Sequence, residues 1–310
     1  MGILMIFIDG LGLGNEDSVN NPFITAKTPF LRKVLSGASL SASSIGKGID
    51  SPAMMIRPTD ATLGISGLPQ SATGQTTIFT GINASAVVGR HINGLPTYSL
   101  RKLIGEASLF KVIHEGGGKA VFANTFTKEY FDSVEQGKWR HSVTTTAALA
   151  GNCDLFMPED LMRGESIYQD ITNEKLRERG YDVPIWEPEE AGAILINQAV
   201  KNDFTLFEYF QTDHCGHHQD FPLALTLLNC LDRFLGTIAG GLTENHLTLL
   251  VVSDHGNIED LSIKTHTLNP VPTIVIGEGM TEFKEIRSLM DIYPAVLNFL
   301  GFKYFRPDVI

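Results

Sequence analysis

Four acidic or basic positions fall where a chemist would look for metal ligands. Asp9 closes the apolar run Leu4–Ile8, Asp213 follows TLFEYFQT, and the pair Asp254-His255 follows HLTLLVVS. A lone aspartate after a strand more often caps a turn or a helix. Three together, two of them beside histidines, point instead to a shared site, because ligands of open α/β sheets bind at the carboxyl ends of the strands. Asp213 and His217 stand four residues apart, so a helix puts them on one face where they can share a metal. His214 and His218 then point elsewhere and read as supporting or surface residues. His266, in the polar loop SIKTHTLNPVP, is a candidate to complete an Asp-His-His set.

A second segment, GLPQSATGQTTIFTGINA, is broken by Gly67, Pro69 and Gly74 ahead of an apolar helical run, with Ser71 and Thr73 available as caps. The expected helix starts at Thr76, placing this threonine in the first turn, where free N–H groups and the helix dipole favour an anion. A threonine hydroxyl needs a base or a metal before it is an effective nucleophile. An ordinary capped helix start explains the same residues without function.

These residues need strands to carry them. Leu4–Ile8, Ala120–Ala123, Thr205–Tyr209, Leu247–Val252 and Thr273–Ile276 are short apolar runs bounded by Gly, Asp or Asn. Helical patterns alternate with them at Pro29–Leu35, Thr76–Gly81, Leu100–Glu115, Glu189–Val200, Leu223–Ala239 and Asp291–Leu300. Strands that are apolar throughout, rather than alternately, imply an α/β sheet covered on both faces. Residues 90–188 are more polar and rich in turn signals, and are expected to form a small inserted cap on a core made of 1–89 and 189–310.

The ordered set resembles the alkaline phosphatase superfamily. I-D-G at Asp9, G-Q-T at Thr76, T-D-H-C-G-H from Asp213 to His217, S-D-H-G at Asp254-His255, and T-H-T followed by V-P at His266 carry the resemblance, and MDIYPAVLNFLG resembles the family's closing helix. The similarity covers roughly residues 1–90 and 200–305. It is nearest to the branch holding cofactor-independent phosphoglycerate mutase and phosphopentomutase, and it extends to nucleotide pyrophosphatase/phosphodiesterases. It implies an alkaline phosphatase-like core sheet with helices on both faces. It also implies two divalent ions, zinc or manganese. One would be held by Asp213, His217 and His266, and the other by Asp9, Asp254, His255 and the Thr76 oxygen. Thr76 would then form a phosphothreonine intermediate, and the ions would clamp the attacking and leaving oxygens.

The insertion departs from the mutases in size and sequence, so the resemblance implies a phosphohydrolase first and a phosphomutase second. A non-catalytic metal-binding homologue is a third reading, since fold does not fix function. The segment also lacks the C-x-P-x-R pattern of sulfatases. Arg90 and His91 are candidates to meet the substrate, with Asn124, Arg140 and His141 behind them, although solvated surface accounts for each. The cluster from Tyr168 to Thr172 reads as a capped helix start.

The bulk numbers fit this picture. The chain has 310 residues, 43% apolar and 19% charged, enough for a large core. Its net charge of −11 argues against non-specific binding of nucleic acid or of an anionic membrane, leaving a small phosphorylated substrate as the expected partner. Cys153, Cys215 and Cys230 form no C-x-x-C pair and suit a reduced compartment. MGILMIFIDG reads as a buried strand rather than a leader, and no apolar run is expected to span a membrane, so the cytoplasm is the expected location.

Overall fold

The computed structural model describes residues 1–304, so 305–310 of the expected core lie outside the described residues. Seven strands form one mixed sheet: β1 Gly2–Ile8, β2 Ile49–Asp50, β3 Met55–Thr59, β4 Ala120–Phe122, β5 Phe204–Tyr209, β6 Leu247–Val252 and β7 Val271–Gly277, in the order β2-β3-β7-β6-β1-β5-β4. The five expected strands are all present. The two missed ones, β2 and β3, are a two-residue edge and the sequence MIRPT, whose arginine and proline hide the strand pattern.

The reason β1 is apolar at every position is visible in the packing. Leu4, Ile6 and Ile8 enter the core on one face of the sheet, and Ile3, Met5 and Phe7 enter the core on the other. Each such fully buried side chain contributes roughly 1.5–3 kcal/mol. The first core is closed by the helices Pro188–Ala199 and Phe221–Asn245. The second is closed by Ser71–Thr80, Tyr98–Ala107, Val143–Ala150 and Ile292–Leu300. The helix Phe221–Asn245 is long and apolar enough by composition to cross a membrane, against the expectation from sequence. Its Leu228, Leu231, Phe234, Leu235 and Ile238 are buried in the first core instead. It also contributes buried Asp232, whose carboxylate accepts the backbone N–H groups of Phe30 and Leu31 at 2.8 Å each, supplying the helix Pro29–Val34 with the cap that Thr28 does not.

The expected helix Leu100–Glu115 is two helices, because Ser108 breaks it and caps the second through a bond from the Lys111 N–H. The segment 90–188 is not set apart as a whole. Its β4 pairs in parallel with β5, and its helices Tyr98–Ala107 and Val143–Ala150 pack on the helix Ser71–Thr80. Within it, Leu161, Tyr168, Leu176 and Val183 gather in a small cluster of their own.

Topology fixes where the chemistry can sit. The neighbouring strands β6, β1 and β5 are parallel, so their carboxyl ends deliver Asp254-His255, Asp9 and Asp213 to one edge. β7 runs antiparallel to β6, which brings the loop ahead of it, with His266, to that same edge. β3 is antiparallel to β7 in turn, so the chain leaves β3 on this edge before entering the helix Ser71–Thr80.

Candidate metal centre and its cleft

Asp213 and His217 lie one turn apart on the helix Gln211–His218, with His217 Nε2 3.3 Å from the Asp213 carboxylate. His266 Nε2 is 3.5 Å from the same carboxylate and 3.2 Å from His217 Nε2. Both rings are oriented from behind. The Nδ1 of His217 meets the Lys264 carbonyl at 2.7 Å and that of His266 meets the Pro69 carbonyl at 2.8 Å. An Nδ1–H donated to a carbonyl leaves Nε2 as a lone pair turned into the cluster, the arrangement a metal-binding histidine uses.

The second group centres on His255, whose ring stacks on His266 with centroids 3.6 Å apart. Its Nε2 is 3.2 Å from Asp9, 3.6 Å from Asp254 and 3.0 Å from the Ser71 hydroxyl. Asp9, Asp213 and His255 therefore converge much as Asp213, His217 and His266 do, with Asp213 common to both sets.

The donor set fits divalent cations. Three carboxylates and three imidazoles meet at one edge, and among the described residues no lysine or arginine pairs with them. One oxygen of Asp254 and the Nδ1 of His255 are buried without a hydrogen-bond partner. Burial and the charge of Asp254 hold the Asp9 carboxyl well above the usual carboxylate range. Burial also raises Asp254. Burial opposes a charged His255, but the neighbouring Asp254 and Asp9 outweigh it and raise its pKa. Burial likewise opposes the Asp213 charge, yet His266, His255 and Asn257 together hold its pKa below the ordinary value. The cluster thus attracts protons to offset crowded negative charge, a need that dications meet by displacing those protons.

Thr76 does not join this cluster. The helix begins at Ser71, five residues earlier than expected, so Thr76 lies in its second turn, fully buried, with its hydroxyl donated to the Ala72 carbonyl at 2.6 Å. The misleading signal was Gly74, read as a break although it lies within the helix. Ser71, read only as a cap, is the first residue of the helix and the one whose hydroxyl faces His255. One turn further along the same face, Gln75 donates its amide to Asp9 at 3.3 Å and to Asp254 at 3.1 Å.

Two further residues went unread. The Asn257 amide donates to the Asp213 carboxylate at 2.6 Å, linking the β6 loop to the other ligand group. Glu259 accepts four hydrogen bonds from three loops. They come from the N–H of Gly12 after Asp9, the N–H of Asn257 after His255, and the side chains of Thr267 and Asn269 after His266. Side chains at Gly12 or Gly256 would collide with this carboxylate, which is why both positions lack one. No local pattern in DHGNIED signals this role, because it depends on three loops meeting.

Of the substrate candidates, Arg90 is exposed. Both ring nitrogens of His91 are taken locally, by the Ser85 hydroxyl at 3.1 Å and the Ile65 carbonyl at 3.2 Å. Neither lines the cleft that opens from the cluster, a cavity of about 860 Å³ bordered by Asp9, Ser71 and Asp213. Asn124 does line it, but its amide is committed to the backbone of Glu208. Arg140 is exposed, and His141 Nδ1 meets the Tyr130 hydroxyl at 2.8 Å. His214 lines the cleft, whereas the His218 ring packs on that of His214. In the stretch from Tyr168 to Thr172, Asp170 caps the following turn through the N–H groups of Asn173 and Lys175, as expected, while Tyr168 and Gln169 reach the cleft. Glu208, on β5, is a buried cleft carboxyl that the sequence reading overlooked. Burial pushes it up to about 7 despite a 2.7 Å bond from the Thr144 hydroxyl.

A family model described as the metalloenzyme superfamily matches residues 181–304. The 2,3-bisphosphoglycerate-independent phosphoglycerate mutase of Acetivibrio thermocellus is 34% identical over 108 residues, which are 33% of this chain and 21% of that protein. The match therefore spans about a fifth of the length of this curated relative. Among solved structures, the alkaline phosphatase of the Antarctic bacterium TAB5 has a TM-score of 0.53 at 12% identity, with 98% of each chain covered. A phosphoglycerate mutase of Leishmania mexicana has a TM-score of 0.52 at 12% identity, covering 99% of this chain and 96% of that one. The metalloenzyme superfamily model over residues 181–304 bears out the resemblance that the ordered motifs carry, and the solved structures share the fold.

Proposed function

We propose that this protein is a metal-dependent phosphoryl-transfer enzyme acting on a small phosphate ester, with Ser71 as its nucleophile. The observation that carries the proposal is the Ser71 hydroxyl, first in its helix and 3.0 Å from His255 Nε2, at the mouth of a cleft that also exposes Asp9 and Asp213. Gln70 gives the first turn of that helix no side-chain cap, which leaves backbone donors and the dipole for an anion such as a phosphoryl group. Asp213, His217 and His266 would hold one ion, and Asp9, Asp254, His255 and Ser71 a second, with zinc and manganese both suited to the mixed donors. When bound, the cations would lower the pKa of the serine hydroxyl and neutralise charge on the phosphoryl oxygens.

Ser71 Oγ bonds to phosphorus as the bond from phosphorus to the leaving oxygen breaks, and the serine proton ends on the leaving alcohol. Water then bonds to phosphorus and the bond to Oγ breaks, releasing phosphate and restoring the hydroxyl. Gln75 keeps Asp9 and Asp254 apart and oriented through these steps. Hydrolysis is supported by the cleft itself, whose described lining carries Lys138 and Arg179 as its lysines and arginines, few for clamping a second anion. Return of the phosphoryl group to the same substrate, as a mutase does it, is the second reading, favoured by the name of the relative matched over 108 residues.

The test uses protein stripped of metal and reloaded with zinc or manganese. It is assayed on a phosphate monoester, a diester and a phosphonate ester, and separately for isomerisation of a phosphoglycerate. Metal-dependent turnover lost in Ser71→Ala and retained in Thr76→Val is expected, with label from a radioactive phosphoryl donor trapped on Ser71. Turnover that survives Ser71→Ala and disappears in Thr76→Val would overturn the assignment.

A further inference from the structure

The cleft is far larger than a phosphoryl group and a short polar acid require. At about 860 Å³ it lies in the upper part of the range that accommodates drug-sized ligands. Part of its wall is aromatic. Phe122 and Phe126 meet edge to face with centroids 5.7 Å apart, and Phe126 meets Tyr130 at 5.1 Å. The Tyr130 ring is held in place by the bond of its hydroxyl to His141. Trp139 lines the same cavity while 54% exposed, and Phe210 lines it at 38%. An indole and a phenyl ring left this open do nothing for the core, and together with the fixed wall they present π faces and edges to whatever enters. Aromatic rings in that arrangement favour another aromatic ring over a saturated one of equal size, through offset stacking and edge-to-face contact.

We infer that this cleft binds the leaving group of the phosphate ester and selects an alcohol that carries an aromatic ring, with Trp139 and Tyr130 as its specificity residues. The inference rests on the phosphoryl-transfer reading for the position of the ester, but the binding it describes needs no turnover. The phosphoryl group lies at Ser71, and the ring extends along the cleft towards Trp139. Because Trp139 is exposed, its replacement should cost the fold little.

The chain has two tryptophans, Trp139 and Trp186, so Trp186→Phe leaves Trp139 as the one indole reporter. Metal-loaded protein with this substitution is titrated with benzyl, cyclohexylmethyl and butyl phosphate, and the unsubstituted chain is followed by calorimetry as a check on the substitution. The three esters share a primary alkoxide leaving group; the benzyl and cyclohexylmethyl esters differ in the ring alone, and the butyl ester lacks one. Benzyl phosphate is expected to change Trp139 fluorescence saturably and to bind about tenfold more tightly than cyclohexylmethyl phosphate. In turnover, Trp139→Ala is expected to raise KM for the benzyl ester about tenfold, within what loss of one aromatic stack costs. It should leave the butyl ester unchanged, and Trp139→Phe should restore most of the loss. Equal binding of the benzyl and cyclohexylmethyl esters would reduce the cleft to a general apolar pocket and overturn the inference, as would equal KM changes for all three. If the benzyl ester binds selectively but no ester turns over and no phosphoglycerate is isomerised, the inference stands and the phosphoryl-transfer reading falls. If esters turn over without preference for the ring, the reverse holds.

Discussion

The two ends of the cleft are built differently. At the proposed metal end, the ends of three parallel strands, one loop and one helix start converge, and nearly every proposed ligand is held by a second residue: Gln75 on Asp9 and Asp254, Asn257 on Asp213, backbone carbonyls on His217 and His266. At the other end, Trp139 follows the short helix Lys128–Glu135, in which no residue is buried, and stands more than half exposed. The first construction fixes atoms for chemistry, and the second leaves surfaces that can change without disturbing it. Substitutions at the metal end should therefore act on turnover and metal affinity, and those at the aromatic end on KM.

The largest effect expected is at Ser71. Ser71→Ala should lower kcat by about ten-thousandfold or more, the scale seen when a nucleophile is removed, while metal content measured by atomic absorption stays unchanged. Loss of both metals together with activity would mean that Ser71 is needed to assemble the centre, and the two ends would differ less than proposed.

Glu208 sits between the two ends and sharpens the comparison through pH. Its carboxyl pKa is about 7 in the folded chain against 4.5 ordinarily, with burial as the main cause. Because the folded value is raised, the native state loses stability as pH rises from about 4.5 to about 7, where the unfolded chain has already released the proton. Above that window the penalty is complete, at roughly 3 kcal/mol. In chelated protein, Glu208→Gln should therefore stabilise the fold by up to about that amount at pH 8 and by little at pH 4.5. A gain that does not vary between these pH values in denaturant titrations would remove the ionisation from the account.

Glu259 tests the rigidity of the metal end. Its carboxylate accepts from two backbone N–H groups on one oxygen and from two side chains on the other. Glutamine offers an acceptor to one pair and an NH₂ to the other, so two donors would be set against a donor. Glu259→Gln should weaken metal binding about 10- to 100-fold, the usual cost of losing support behind a ligand, with kcat largely recovered at saturating metal. An unchanged metal titration would show that the three loops hold their places without it.

How much of this could be read from the chain follows from how local each signal is. Asp9, Asp213, Asp254 and His255 were legible because each follows a run of apolar residues whose strand character is strong, and parallel strands send their ends one way. His217 followed from helical spacing alone. Ser71 was missed because one glycine, Gly74, outweighed the helical register in the reading, although the helix passes through it. Asn257 and Glu259 could not be found locally, since their partners lie up to 247 residues away in the chain. The aromatic wall was hidden for a related reason: Phe122 comes from β4, Phe126 and Tyr130 from the stretch after it, and Phe210 from the end of β5, and only the parallel pairing of β4 with β5 brings them together.

The smallest effect is expected at Arg90, and it bears on which side of the cleft the substrate lies. Arg90 is the nearest arginine in sequence to the Ser71 helix, which is why it was a candidate, but it is exposed and is not among the residues lining the cleft. Arg90→Ala should change neither stability nor the free energy behind kcat/KM by more than about 0.5 kcal/mol, the ordinary range for a surface position. Lys138→Ala, in the cleft wall, serves as the contrast and should raise KM if the ester passes along that wall. If Arg90→Ala raised KM tenfold while Lys138→Ala did nothing, the leaving group would have to exit over the Gly89–Arg90 turn, and the functional division between the two ends of the cleft would fail.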